Sequence, residues 1–294
     1  MVVSLEKISG LPITFDPQML ELSWDDSVIV GEVSERPFDE MKKFIRAEAA
    51  RPTGDPIYVV WRRVSRKADV TRIQNEKLRY DLTMIPPGAF LPPNSHGPVR
   101  IAEGRRPEAG YSHAEFFRTA GHYHKRKTGH ALPLPEVYEV LYGRAYWIIQ
   151  RAHPGDPARL EEVYAVEAGP GEKAVMLPGF GHISVNAFSE PLLMANWIDD
   201  TFAYDYEPYE RFRGGGYWVG EGLLPETIEF EKNTNYASVP ELKKLRPNEL
   251  PAFGLLRSQP TYALVSALAH LRFLSAPEEF THTLTLDRCY RPVV

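Results

Sequence analysis

Gly121-His122-Tyr123-His124 is followed by Pro135-Glu136-Val137-Tyr138-Glu139-Val140-Leu141 and then by Leu177-Pro178-Gly179-Phe180-Gly181-His182. In a strand successive side chains point to opposite faces, so His122 and His124 point the same way. The run around Glu136 alternates and meets the turn residue Gly143, which predicts a second strand. His182 opens a third, with Asn186 four residues on. Four donors on three strands reach one ion only where the strands line a closed cavity, so these stretches predict a β-barrel with a metal site inside. Three imidazoles and a carboxylate form a mixed N/O set that suits Fe, Mn, Ni, Co or Zn and suits Ca or Mg poorly. Four protein ligands leave positions open on an octahedral ion.

Working outward, strands follow one another from Ala114 to Trp197, divided by short turns at 151–157, Ala168-Gly169-Pro170-Gly171 and Ser189-Glu190-Pro191. Upstream, Ile57–Val64 and Leu78–Ile85 read as strands. Pro37 to Ala50, with Phe38, Met41, Phe44 and Ile45 on one side, reads as an amphipathic helix. Residues 91–113 lack periodicity and read as a long loop near the barrel mouth. Downstream of Gly220 the pattern changes. Ser258-Gln259-Pro260 predicts a helix start, with Leu264, Leu268 and Leu271 at helical spacing. The expected architecture is mostly β: a barrel domain over 1–220, with N-terminal strands and a helix, then a mixed α extension over 221–294 of unknown role.

Composition narrows the function. The 294 residues are 43% hydrophobic and 25% charged, ordinary for a soluble globular chain, and the net charge of −5 argues against a nucleic-acid surface. No apolar run is long enough to span a bilayer, and Met1-Val2-Val3-Ser4-Leu5-Glu6-Lys7 lacks a signal-peptide core. The single cysteine, Cys289, excludes an internal disulfide and fits a reducing cytoplasm. Nucleotide-binding glycine loops, Cys-x-x-Cys and the serine-hydrolase elbow are all missing from the sequence.

At His-x-His, the Glu136 run and Pro178-x3-His182-x3-Asn186 the chain resembles the cupin superfamily, whose fold is a jelly-roll-like β-barrel. It resembles more closely the cupin-type phosphoglucose isomerases. The matching stretches are Tyr58, Tyr80-Asp81-Leu82-Thr83-Met84-Ile85-Pro86-Pro87-Gly88, Glu115 to His124, Pro135 to Leu141, Tyr146 to Gln150, the segment around His182, and Tyr204-Asp205-Tyr206. Ala120 stands where that family often has Lys, Tyr204 where it often has His, and the loop from Lys125 to Pro135 is stretched and carries His130.

The resemblance implies one divalent transition metal, iron first with Mn, Ni and Zn as alternatives, held by His122, His124, Glu136 and His182. It implies a sugar-phosphate substrate whose phosphate meets Tyr58, Thr83, Thr119 and the Gly121 amide, with Asp205 and Tyr206 closing the cavity. It implies a homodimer, and no nucleic-acid or membrane partner. The expected reaction interconverts glucose 6-phosphate and fructose 6-phosphate through a cis-enediol stabilised by the metal, with Glu136 as proton carrier and Tyr138 on the same face contacting substrate. Two rivals stand beside it: a cupin isomerase or epimerase of a different sugar, and a non-catalytic sugar- or metal-sensing cupin that uses residues 221–294 as an interaction module. A cupin dioxygenase is a third.

Overall fold

The structure, a computed structural model, describes residues 1–47, 49, 51–92, 114–222 and 227–293. The 91–113 loop expected at the barrel mouth therefore lies largely outside the described residues. The chain is mostly β. A six-stranded antiparallel sheet runs in the order Lys173–Met176, Glu136–Tyr142, Leu192–Asp199, Leu78–Ile85, Tyr58–Arg62, Glu32–Arg36. A five-stranded sheet runs Gly181–Val185, Ala145–His153, Asp156–Ala168, Lys243–Pro247, Tyr290–Pro292, with one parallel pair, Asp156–Ala168 beside Lys243–Pro247. A third ladder joins Ile228–Lys232, Tyr217–Glu221, Glu115–Phe116, Ala89–Leu91 and Arg51–Pro52. The first two sheets face each other, jelly-roll fashion, with Tyr138 against Trp147 at 5.7 Å between ring centres. Among the described residues no hydrogen-bond ladder closes the sheets into a ring. No described helix is long and apolar enough to cross a membrane.

The faces of the Leu78–Ile85 strand explain how the layers stack. Cross-strand register sets Asn196 opposite Asp81, Met194 opposite Thr83 and Thr83 opposite Val60. The polar members Asp81 and Thr83 thus share the concave face with Tyr138, Asn196 and Tyr58, and that face carries a pocket. The apolar members turn the other way: Tyr80 packs on Trp197 and on Tyr262. All eight residues of this strand are buried, because the outer face is covered by the C-terminal segment. Trp197 Nε1 donates to the Thr261 carbonyl at 3.0 Å, and Tyr290 Oη donates to that of Val175 at 2.5 Å.

Two expected helices take other forms. Among the described residues of the Pro37 to Ala50 stretch, an α-helix forms only at Phe38–Met41. The apolar side is buried as its spacing requires, at Met41, Phe44 and Ile45, but tertiary partners claim the backbone. The Arg118 guanidinium donates to the Phe44 carbonyl at 2.6 Å, and the Arg46 N–H points to the Glu115 carboxylate at 3.4 Å. The segment after Pro260 is a 3₁₀ helix over Thr261–Leu274, broken at Ala267. Leu264 and Leu271 are buried there, so the apolar spacing was meaningful although the winding is tighter.

Candidate metal centre and substrate pocket

Each donor reaches the site from a different piece of backbone. Glu136 opens its strand in the six-stranded sheet, and His182 lies in the facing sheet, opposite Ile149. His122 forms an antiparallel bridge with His182, and Tyr123–His124 pairs with Tyr204–Asp205, so the His-x-His segment spans the gap between the sheets. The bend before it depends on Gly121, whose φ is 78°; an added Cβ would meet Ile183 at 2.5 Å and Tyr209 at 2.8 Å.

One ligand atom from each of His122, His124, Glu136 and His182 lies within 4.8 Å of the others. His122 Nε2 and His124 Nε2 are 3.2 Å apart, and Glu136 Oε2 is 3.4 Å from both His124 Nε2 and His182 Nε2. Ligands about 2.1 Å from a shared ion stand about 3.0 Å apart at right angles and about 4.2 Å when opposed. The spacing therefore fits a single ion. Glu136 Oε2 is buried and accepts no hydrogen bond among the described residues, which leaves it for a cation. Its other oxygen, Oε1, accepts from Asn196 Nδ2 at 2.6 Å. His124 Nδ1 faces the Leu134 carbonyl at 2.6 Å; donation there fixes the tautomer with the Nε2 lone pair toward the cluster. His182 Nδ1 is buried and has no hydrogen-bond partner among the described residues.

Burial also sets the charge states. Desolvation first, then the neighbouring imidazoles, holds His122 well below the ordinary imidazole range, and desolvation lowers His182 against the pull of Glu136. Both are neutral at pH 7, as ligands must be. Burial alone would raise Glu136, but the close approach of His124 and His182 outweighs it and keeps the carboxyl ionised. Burial raises the Tyr138 phenol far above its usual value, so it stays a donor, 3.4 Å from His182 Nε2.

A pocket opens beside this cluster. Glu136, Tyr138, Tyr58, Thr83, Thr119, Gly121 and Tyr206, all expected at the site, line it together with His122. Tyr204, singled out in the sequence as standing where the isomerases often have His, also lines it, and so do Arg36, Arg62, Asp81 and Asn196, for which the sequence offered no role. Asp81 accepts from Arg79 Nε at 2.8 Å and the Arg63 N–H at 2.9 Å, with Arg62 3.6 Å away; Arg79 also donates to Tyr204 Oη at 2.8 Å. The period-two polar positions of Tyr58–Arg62 and Leu78–Ile85 were the available signal. His130 is elsewhere: its ring faces Glu278 of the C-terminal segment at 3.5 Å, and the same carboxylate caps the Ala131 N–H.

Residues 108–234 match the family model glucose-6-phosphate isomerase (GPI). The glucose-6-phosphate isomerase match contains all four donors, Thr119, Tyr138 and Tyr206; Arg36, Tyr58, Arg62, Asp81 and Thr83 lie upstream of it. No match is found among curated proteins. Among solved structures, similarity extends to oxalate decarboxylase from Bacillus subtilis. A structure at pH 4.6 is 13% identical, with 53% of this chain and 29% of that chain covered at a TM-score of 0.30. A tryptophan variant is 11% identical, with 62% and 31% covered at a TM-score of 0.32. The chain spans about three tenths of the length of those structures.

Proposed function

We propose that the protein is a metal-dependent aldose–ketose isomerase acting on a phosphorylated hexose, with glucose 6-phosphate and fructose 6-phosphate as the substrate pair. One observation carries the reading: the four-donor cluster, which lies within the segment matching the isomerase family, presents His122 and Glu136 to a pocket whose other walls carry hydroxyls and guanidiniums.

His122, His124, Glu136 and His182 would hold the ion. When bound, a divalent metal supplies Lewis-acid polarisation of the sugar oxygens at the reacting carbons. The chain's own groups do the rest. Aldose to ketose conversion moves one proton from C2 to C1 and one from the C2 hydroxyl to the C1 oxygen. Glu136 carries the carbon-bound proton. Asn196 anchors its Oε1, so the carboxylate pivots about a fixed point. The protonated Tyr138 phenol donates to a substrate oxygen on the same side. Tyr58, Thr83, Thr119, the Gly121 amide and Tyr206 receive the phosphate.

Protein loaded with Fe, Mn, Ni or Zn is expected to convert fructose 6-phosphate to glucose 6-phosphate in a coupled assay; silence with all four metals removes the substrate pair. Run in D₂O, the reaction is expected to place deuterium at C2 of glucose 6-phosphate. Label at that carbon requires a proton that exchanges with solvent and excludes a hydride shift, and Glu136→Gln is expected to abolish both turnover and labelling; labelling undiminished in Glu136→Gln would remove Glu136 as the carrier.

A further inference from the structure

We infer that Arg36 selects for the phosphorylated substrate: its guanidinium exchanges the carboxylate of Glu40 for the phosphate monoester of the bound sugar. The inference rests on the sugar-phosphate reading above and deepens it.

Arg36 ends the edge strand Glu32–Arg36 and sits directly across from Tyr58. Its guanidinium lies over the Tyr58 ring, 5.8 Å from the ring centre. It lines the site pocket and also an outer groove; Ala120 and Tyr206 are shared by the two in the same way. Arg36 therefore stands where the pocket meets solvent. The small side chain of Ala120 leaves that passage free of a second long group.

Two guanidiniums line the pocket, and their partners differ. Arg62 faces Asp81, which is 2% exposed and held by two hydrogen-bond donors, Arg79 Nε and the Arg63 N–H, so that carboxylate cannot leave. Arg36 pairs with Glu40, whose side chain is 51% exposed and rehydrates at little cost. A phosphate dianion offers a planar fork more charge and more acceptors than a half-exposed carboxylate. Donors meet it from within as well: the Ser184 N–H occupies the Thr119 hydroxyl oxygen at 3.0 Å, which leaves the hydroxyl proton to donate.

The test compares wild type, Arg36→Gln, Arg36→Lys and Glu40→Gln, each checked for an unchanged melting temperature. Calorimetry reads the Kd for inorganic phosphate, and steady-state kinetics reads KM and kcat for fructose 6-phosphate. Arg36→Gln is expected to raise both Kd and KM about ten- to a hundredfold, with kcat within about threefold. Arg36→Lys recovers part of the loss. Glu40→Gln removes the competitor and lowers both constants about two- to fivefold. A Kd and KM within twofold of wild type in Arg36→Gln overturns the inference, as does a loss confined to kcat. If wild type turns over no hexose phosphate, the isomerase reading fails by itself, and the phosphate titrations still decide the role of Arg36.

Discussion

Asn196 holds one oxygen of Glu136 and leaves the other, Oε2, without a hydrogen bond beside two imidazoles. That division of labour orients the carboxylate before any ion arrives. Replacing Asn196 with Ala frees Glu136 to rotate and is expected to weaken metal affinity about ten- to a hundredfold, read by competition with a chelator; an unchanged affinity would show that Asn196 is mere packing. The imidazoles make a second prediction. His122 and His182 are depressed below the ordinary value of 6.5 by burial, so the unfolded chain takes up protons before the folded one does. Metal-free protein should therefore be insensitive to pH above about 7 on their account and lose stability as the pH falls through and below 6.5. Melting curves in chelator from pH 8 to 5.5 check this, and the double variant His122→Gln, His182→Gln should give a flatter profile. Neither Asn196 nor the Leu134 carbonyl announced itself in the sequence, since an isolated Asn and a backbone oxygen carry no pattern.

At the scale of elements, the Glu136–Tyr142 strand works on both faces. Glu136 and Tyr138 look into the pocket, while Glu139 looks outward and meets the C-terminal segment. Glu139 Oε2 accepts from both the N–H and the hydroxyl of Thr261 at 2.7 Å, and Lys173 Nζ lies 2.9 Å from Oε1 while donating to the Gly171 and Leu256 carbonyls. Lys173 and Glu139 are 3% and 1% exposed, so removing one partner strands a buried charge. Lys173→Met is expected to cost about 3 to 5 kcal/mol, and the double variant Lys173→Met, Glu139→Gln to restore much of it. Denaturant unfolding measures both; equal losses in the single and double variants would refute the coupling. The alternation Glu-Val-Tyr-Glu-Val identified this strand and its two faces from sequence. It did not reveal that the outward Glu would be buried, because its cover lies 122 residues further along the chain.

Over the whole molecule, residues 227–293 contribute more than an appendage would. Lys243–Pro247 extends the five-stranded sheet beside Asp156–Ala168, and Tyr262 covers Tyr80 and Trp197 on the outer face of the six-stranded sheet. A chain ending at Gly220 would expose that apolar face and strand the Glu139–Lys173 pair. It is expected to aggregate or to lose cooperative unfolding, as size-exclusion chromatography and thermal melts would show. A monodisperse, cooperatively folded truncation would instead support a separable barrel domain over 1–220.

The sequence by itself determined that His122 and His124 share one face, because they lie two apart, and alternation in a strand is a property of the backbone within a few residues. For the same reason it determined the strands around Glu136 and Thr83 and the mostly β class. Only the tertiary structure decided which residues share the pocket wall. Arg36, Arg62 and Asp81 stand beside Glu136 through cross-strand register over more than 50 residues of chain. It also decided the winding of the 38–47 segment, where the Arg118 guanidinium claims the Phe44 carbonyl that a helix would otherwise use, and of the 261–274 segment, which winds as 3₁₀ and breaks at Ala267. Local periodicity follows from the geometry of a few residues; register and sheet facing follow from burial summed over the whole chain, which no short window contains.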